Sequence, residues 1–374
     1  MTNNLKHLLT ALLPLLLAGC IDDEYKPWSY TDPIRFSTSV DNVPTTNQTT
    51  RAAYNETTFS EFQVTALGNA AAYFQNLKVT KQTDGSWVTA STKYWPAYPL
   101  KFFAYAPASL QSNIAINTSE QKLTGYSPAK AASSQADIVT AFVHANQNSA
   151  SGTAVLGFHH ALSQIEVLAR NGEPSKYTIE VLGVKLCVIP STADLTFQTA
   201  PDAYPVWSTA TGSEDFILKG NTSFTLTSTP QRIMFGTDNF LLVPQTLAPW
   251  TNGATADGAY ISVLCRITDE LSNCIYPDDP TKFGFAALPI DQVWQSGHKY
   301  TYTVSFFTNG GGAGRIDPNA VNPDDPTDPD VDVTPGGTKP GGSLVVPDSQ
   351  VPIEVSVSIT DWVNGSSDNI DLEF

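Results

Sequence analysis

Apolar and polar residues alternate in short runs along most of this chain, and turn residues end each run before a helical period can establish itself. Ile34-Arg35-Phe36-Ser37, Phe62-Gln63-Val64-Thr65-Ala66 and Leu77-Lys78-Val79-Thr80 each send alternate side chains to opposite faces. Asp84-Gly85 then supplies a hairpin turn signal. The β-rich run at 100–105 closes on Ala106-Pro107, where a central strand cannot continue. Further strands are expected at 137–141, 155–167, 177–188, 240–243, 260–264 and 300–306. No stretch keeps a helical period over the ~12 residues a stable helix needs. The spacing predicts an all-β chain of sandwich type.

Length and punctuation divide it. The 374 residues exceed one small core and suit two domains of ~150 residues each. The polar loop at 146–152 is the expected break, giving domains over 34–150 and 151–309. Residues 310–347 are rich in Gly, Pro and Asp, poor in apolar side chains, and read as an extended linker. Its aspartates (Asp324, Asp325, Asp328, Asp330, Asp332) lack the ligand spacing of a calcium loop, so no metal is expected there. A strand segment follows over 348–374. Ile353, Val355, Val357 and Ile359 share one face, and Glu354, Ser356, Ser358 and Thr360 the other. This strand either completes its own sheet or is donated to a neighbouring molecule.

The N-terminus reads as an export signal. Lys6 precedes an apolar run over 8–17, too short to span a bilayer. Leu17-Ala18-Gly19-Cys20 then forms a lipobox, so 1–19 is the expected signal peptide, Cys20 the lipidated residue and 20–33 a tether. Everything after Cys20 is then expected to be a body tethered by lipid to a membrane outside the cytoplasm. A net charge of −16 repels phosphate backbones and excludes nucleic acid as a partner. Beyond Cys20 the cysteines are Cys187, Cys265 and Cys274; a Cys265–Cys274 hairpin disulfide stays open, and a zinc site does not fit the spacing.

Bond-making chemistry is missing from the sequence. No nucleophile elbow, zinc-protease, phosphate-loop or dinucleotide motif occurs in its required context. His159 and His160 are adjacent, so on a strand they face opposite ways and cannot share a metal. No cofactor and no catalytic residue is expected. Tyr94, Trp95, Tyr98, Trp250 and Trp294 are candidate sugar platforms, although aromatics at strand ends more often fill cores.

Several phrases, in order, resemble the fimbrillin-like family of Bacteroidales surface lipoproteins, which includes type V pilus subunits. They are the lipobox, Ile34-Arg35-Phe36, Thr50-Arg51-Ala52, Tyr94-Trp95-Pro96, Phe102-Phe103-Ala104-Tyr105-Ala106-Pro107 and Asp137-Ile138-Val139-Thr140-Ala141. They continue with Phe158-His159-His160-Ala161-Leu162-Ser163-Gln164, Val243-Pro244-Gln245, the run from Trp294 to Tyr302, and Ile359-Thr360-Asp361-Trp362. The resemblance implies two tandem transthyretin-like Greek-key β-sandwich domains. It also implies a structural, anchoring or tip-adhesin subunit of a cell-surface pilus. Its partners would be other pilus subunits, the outer membrane through lipid, and host or bacterial surface ligands. By the same resemblance an arginine-specific protease cuts between Arg51 and Ala52, and Ile353 to Ile359 is the candidate donor strand. The competing reading is a monomeric surface lipoprotein that binds glycans.

Overall fold

The computed structural model describes residues 32–41, 53–251, 257–309, 311–319, 331, 342–346, 353–361 and 367–368. Its strands begin with β1 (Arg35–Val40), β2 (Glu61–Gly68), β3 (Ala71–Lys81), β4 (Trp87–Thr89), β5 (Leu100–Ala106), β6 (Ile114–Ile116), β7 (Gln121–Tyr126), β8 (Val139–Ala145) and β9 (Thr153–His160). They continue with β10 (Ser163–Asn171), β11 (Tyr177–Ile189), β12 (Ala193–Thr196), β13 (Val206–Trp207), β14 (Glu214–Thr225), β15 (Gln231–Arg232), β16 (Phe240–Leu242) and β17 (Tyr260–Asp269). The last are β18 (Cys274–Tyr276), β19 (Gly284–Pro289), β20 (His298–Phe306), β21 (Arg315–Ile316), β22 (Glu354–Asp361) and β23 (Ser367–Asp368). Short 3-10 turns are the only helical structure among the described residues, so the all-β expectation holds.

The first sheet has the order β1-β9-β8-β5-β2-β3-β4. β1 runs parallel to β9, from Arg35 opposite Thr153 to Val40 opposite Phe158. This sheet rolls over on itself. Phe36 of β1 meets Phe62 of β2 at 5.9 Å and Phe102 of β5 at 5.7 Å, edge to face, although β9 and β8 lie between them in the ladder. Period-two alternation on a curved sheet puts one face inside. Ile34, Phe36, Val40, Phe62, Phe102 and Phe158 therefore share one core. Trp95 closes it from below, its indole N–H donating to the Gly152 carbonyl at 2.9 Å. The roll stays open along a cleft of about 200 Å³ between β1 and the β3–β4 hairpin, lined in part by Thr38, Phe59, Lys81 and Trp87.

The polar loop at 146–152 joins β8 to β9 inside this first sheet, and the chain leaves the sheet at Ala161. Beyond it, one six-stranded sheet (β15-β10-β20-β22-β23, with β16 also on β10) faces another (β14-β11-β17-β19-β21, with β18 on β17). Ile165, Val181, Val263, Leu288, Tyr302 and Val357 meet between them in a second core. A four-stranded sheet, β13-β12-β7-β6, combines segments from both halves of the chain and covers a third apolar cluster with Phe103, Phe142 and Leu195.

Residues 311–319 depart from the linker expectation. β21 pairs with β19, and Ala313 and Ile316 are fully buried. The composition of the whole 310–347 segment hides these two apolar residues, which suffice to cap an open sheet edge. Val331 and Val345 are buried as well. Cys187, Cys265 and Cys274 are free thiols, so the hairpin disulfide left open by the sequence does not form here.

Phe102 is buried and touches Phe36, Phe74 and Trp95. Replacing it with Ala should cost about 3–5 kcal/mol, read as a lower urea midpoint with an unchanged slope.

Candidate functional site

Two strands near the ends of the described chain lie at or near sheet edges. β1 forms one edge of the first sheet. Its inward face is Ile34, Phe36, Thr38 and Val40, with Ile34, Phe36 and Val40 buried. Just past its end, Asp41 lies 2.9 Å from His159 Nδ1, and His159 Nε2 lies 2.9 Å from the Pro201 carbonyl. Both partners are acceptors, so the imidazolium, with two N–H groups, is the form that satisfies them together. Burial opposes that charge, but the hydrogen bonds to Asp41 and Pro201 outweigh it and raise the His159 pKa above its ordinary value.

β22 lies antiparallel on β20, from His298 opposite Asp361 to Ser305 opposite Glu354. Of the predicted donor residues, Ile353 and Val357 are buried, and Val355 and Ile359 pack half-buried on the second core. On its other side β22 meets, among the described residues, only β23, at Ile359–Asp368 and Thr360–Ser367. Its end is held as β1's is, by a His–Asp pair: His298 Nε2 lies 2.9 Å from Asp361.

The two seats converge. The Tyr204 ring packs 5.0 Å from His159. Burial, Asp41 and Asp361 together push the Tyr204 hydroxyl pKa upward, with a hydrogen bond to Asp41 adding to it. Gly297 turns beneath this ring with φ +71°, and a Cβ there would stand 2.5 Å from it, so only glycine fits. Its N–H donates to the Leu162 carbonyl at 3.0 Å. Ser296 donates to the Ala161 carbonyl at 3.0 Å, and Ser163 to the Gln295 carbonyl at 2.8 Å. His160, wholly buried, pairs with Asp137 at 2.8 Å, which also accepts the Tyr54 N–H at 2.9 Å. The stretches around Asp137, 158–164 and 294–302 thus form one junction. Alternation shows that His159 and His160 face opposite ways; their separate carboxylate partners come from distant strands and leave no local signal.

The other expected residues fall elsewhere. Cys20, Arg51, Ala52, Trp362 and the aspartates from Asp324 to Asp332 lie outside the described residues. Of the candidate sugar platforms, Trp95, Trp250 and Trp294 are buried. Trp294 donates to the Tyr302 hydroxyl at 2.9 Å. Tyr94 remains exposed and Tyr98 half-buried. Among the described residues no group of three His, Cys, Asp or Glu is placed to hold a metal.

Residues 46–317 match the model of the fimbrillin-like family. Among solved structures, a candidate cell adhesion protein from Parabacteroides distasonis is 10% identical, with 88% of this chain and 99% of that chain covered and a TM-score of 0.50. A fimbrial protein from Bacteroides vulgatus is 16% identical, covering 73% of this chain and 94% of that one, with a TM-score of 0.47. The first likeness is one of fold. No curated protein matches the chain.

The raised His159 pKa makes a signed prediction. Its contribution to seating β1 is complete below the unfolded value of about 6.5 and is lost as pH rises through the higher folded value. The thermal midpoint should fall across that window, and Asp41→Asn should flatten the fall.

Proposed function

The chain belongs to the fimbrillin-like family, and on that premise we propose that it is a surface pilus or adhesion subunit assembled by strand exchange. The family is one of structural and adhesion proteins, not enzymes. In this reading the chain is exported as a lipoprotein through Cys20, and cleavage after Arg51 releases the segment that carries β1. The observation that carries the reading is the seat of β1: an edge strand in parallel register with β9, whose link to Ala53 includes Arg51 in the sequence. Beyond the cut the chain is anchored again. Ala53 is buried, and the Tyr54 N–H is tied to Asp137. Loss of β1 therefore leaves the rest of the roll attached.

Its departure uncovers Phe62, Phe102 and Phe158 and unpairs one side of β9. The side chains of Ile34, Phe36 and Val40 stabilise the roll by about 1.5–3 kcal/mol each, so an empty seat strongly favours refilling. Exposed, unpaired strand edges are sites of β-augmentation. Ile353, Val355, Val357 and Ile359 match Ile34, Phe36, Thr38 and Val40 in number and period. In this reading β22 of one molecule fills the β1 seat of the next. Its place on β20 is the resting position, with β23 paired to two residues of its outer side.

The expected outcome is that arginine-specific proteolysis of surface-displayed protein gives a new N-terminus at Ala52 and ladders of covalently separate subunits on mild denaturing gels. Arg51→Ala should abolish both. Deletion of 347–374 should leave cleavage intact and abolish the ladders. A cleaved, full-length protein that stays monomeric would overturn the reading.

A further inference from the structure

On the outer face of the sheet that contains β11, β17 and β19, a lysine and an aspartate are sealed together. Lys185 Nζ lies 2.9 Å from Asp317 Oδ2, and both side chains are wholly inaccessible to solvent. Lys185 comes from β11, and Asp317 follows β21 on the strap that crosses the sheet. The ammonium also donates to the Asn319 carbonyl at 2.6 Å and stands 4.4 Å above the Phe285 ring. Three donors converge on the carboxylate: Tyr260 Oη on Oδ1 at 2.7 Å, Ser262 Oγ on Oδ2 at 2.7 Å, and the Asn319 N–H on Oδ1 at 2.7 Å. Cys187, Trp250, Tyr260 and Ala287 form an apolar cluster on the same face.

The backbone beside this cluster is strained. Val188 has φ +58°, a left-handed value that β-branched residues avoid. Its N–H donates to Asp215 at 2.9 Å, and Asp215 also accepts from the Asn319 side chain at 3.4 Å. Strain of this kind persists where the surroundings over-determine it, and it gathers at functional sites.

We propose that Lys185 and Asp317 condense into an intramolecular amide bond, a covalent cross-link between β11 and the strap. The chemistry needs no other reactant. The ammonium passes one proton to the Asp317 carboxylate, leaving a neutral amine against a neutral acid. The Nζ lone pair attacks Cγ, and Tyr260 and Ser262, already donating to the two oxygens, hold the negative charge that develops there. A second proton moves from nitrogen to the departing oxygen, which leaves as water. The balance is one ammonium plus one carboxylate giving one amide plus one water.

Three features favour the step. Groups fixed in contact react with effective concentrations far above any free pair, on the order of 10⁵–10⁸ M in well-oriented cases. A buried ion pair carries a heavy desolvation cost, and the amide removes both charges. Each carboxyl oxygen already has a donor placed on it, so little reorganisation is needed. Cys187 does not compete as a nucleophile, because burial pushes its thiol pKa well above the ordinary value.

The position gives the bond a use. Asp317 is the last residue of the family match, and the chain beyond it leads to β22. If β22 is seated in another subunit, tension enters this body where 342–346 are hydrogen-bonded to Gly314 and Ile316, next to Asp317. The amide would carry that tension directly to β11. The bond itself does not depend on strand exchange; only this mechanical role does.

Peptide mapping of the purified full-length protein, digested after denaturation, decides the matter independently of N-terminal processing. The expected result is one branched peptide joining Lys185 to Asp317, lighter by one water than its two linear parts. Lys185→Arg keeps a cation against Asp317 but has no condensing amine, and should give linear peptides only. Asp317→Asn should give the same branched product with loss of ammonia. Linear peptides alone from folded native protein would overturn the proposal, whatever the assembly experiments show.

Discussion

A β-sheet that ends in solvent leaves a row of unpaired backbone groups, and this fold is organised around covering such rows with short segments drawn from the ends of the chain. β1 covers β9 in parallel register, β22 covers β20, and β21 covers β19. The first of these matters most. The roll of the first sheet encloses its core only because Phe36 reaches across to Phe62 and Phe102. Remove that strand and the core has an open side, yet the strands behind it keep their own ladders. Topology makes β1 an edge cover whose removal breaks no ladder but that with β9, which is what the proposed exchange requires.

The junction links the covers to one another. Asp41 and Asp361 close the ends of β1 and β22, and both act on Tyr204, whose ring rests on Gly297. Each carboxylate meets a histidine. The charged hydrogen bond of His159 to Asp41, at a partly buried seam, stabilises more than an exposed pair does, but less than buried aromatic packing. The His–Asp contacts therefore tune how β1 and β22 rest, while Phe36, Val40 and Val357 decide whether they stay.

Much of this was legible in the sequence because period-two alternation survives burial. Ile34 and Phe36 read as an inward face, and Ile353 to Ile359 as an amphipathic strand; both are so placed. Phe158 to Gln164 and Trp294 to Tyr302 stood out as phrases but gave no hint that they bind each other. Their contacts run through Ala161, Leu162 and Gln295 carbonyls, which any residue supplies. The exposed-aromatic reading weakened for a similar reason. Trp95, Trp250 and Trp294 sit beside turn residues, but turns at a sandwich end can fold inward over the core. The burial of 311–319 was hidden because composition averages over a window, whereas sheet capping needs one well-placed Ile316.

Lys185 was invisible for the opposite reason: a lone lysine in an apolar strand reads as a surface residue snorkelling outward. Here it points under a strap that the sequence assigned to a linker, and its partner is one of many aspartates in that region. Burying the pair brings no evident gain in stability over apolar residues of the same size, since desolvation offsets the attraction. Tyr260, Ser262 and Asn319 supply the hydrogen bonds that make the burial tolerable. A device of this kind is understandable where the chain must hold the strap at one residue, because many donors fixed on one carboxylate pin Asp317 more sharply than apolar packing would. Asp317 also adjoins β21, to which 342–346 are hydrogen-bonded. A dense set of donors on one carboxylate thus fixes the strap one residue beyond β21, the strand on which 342–346 are bonded before the chain reaches β22.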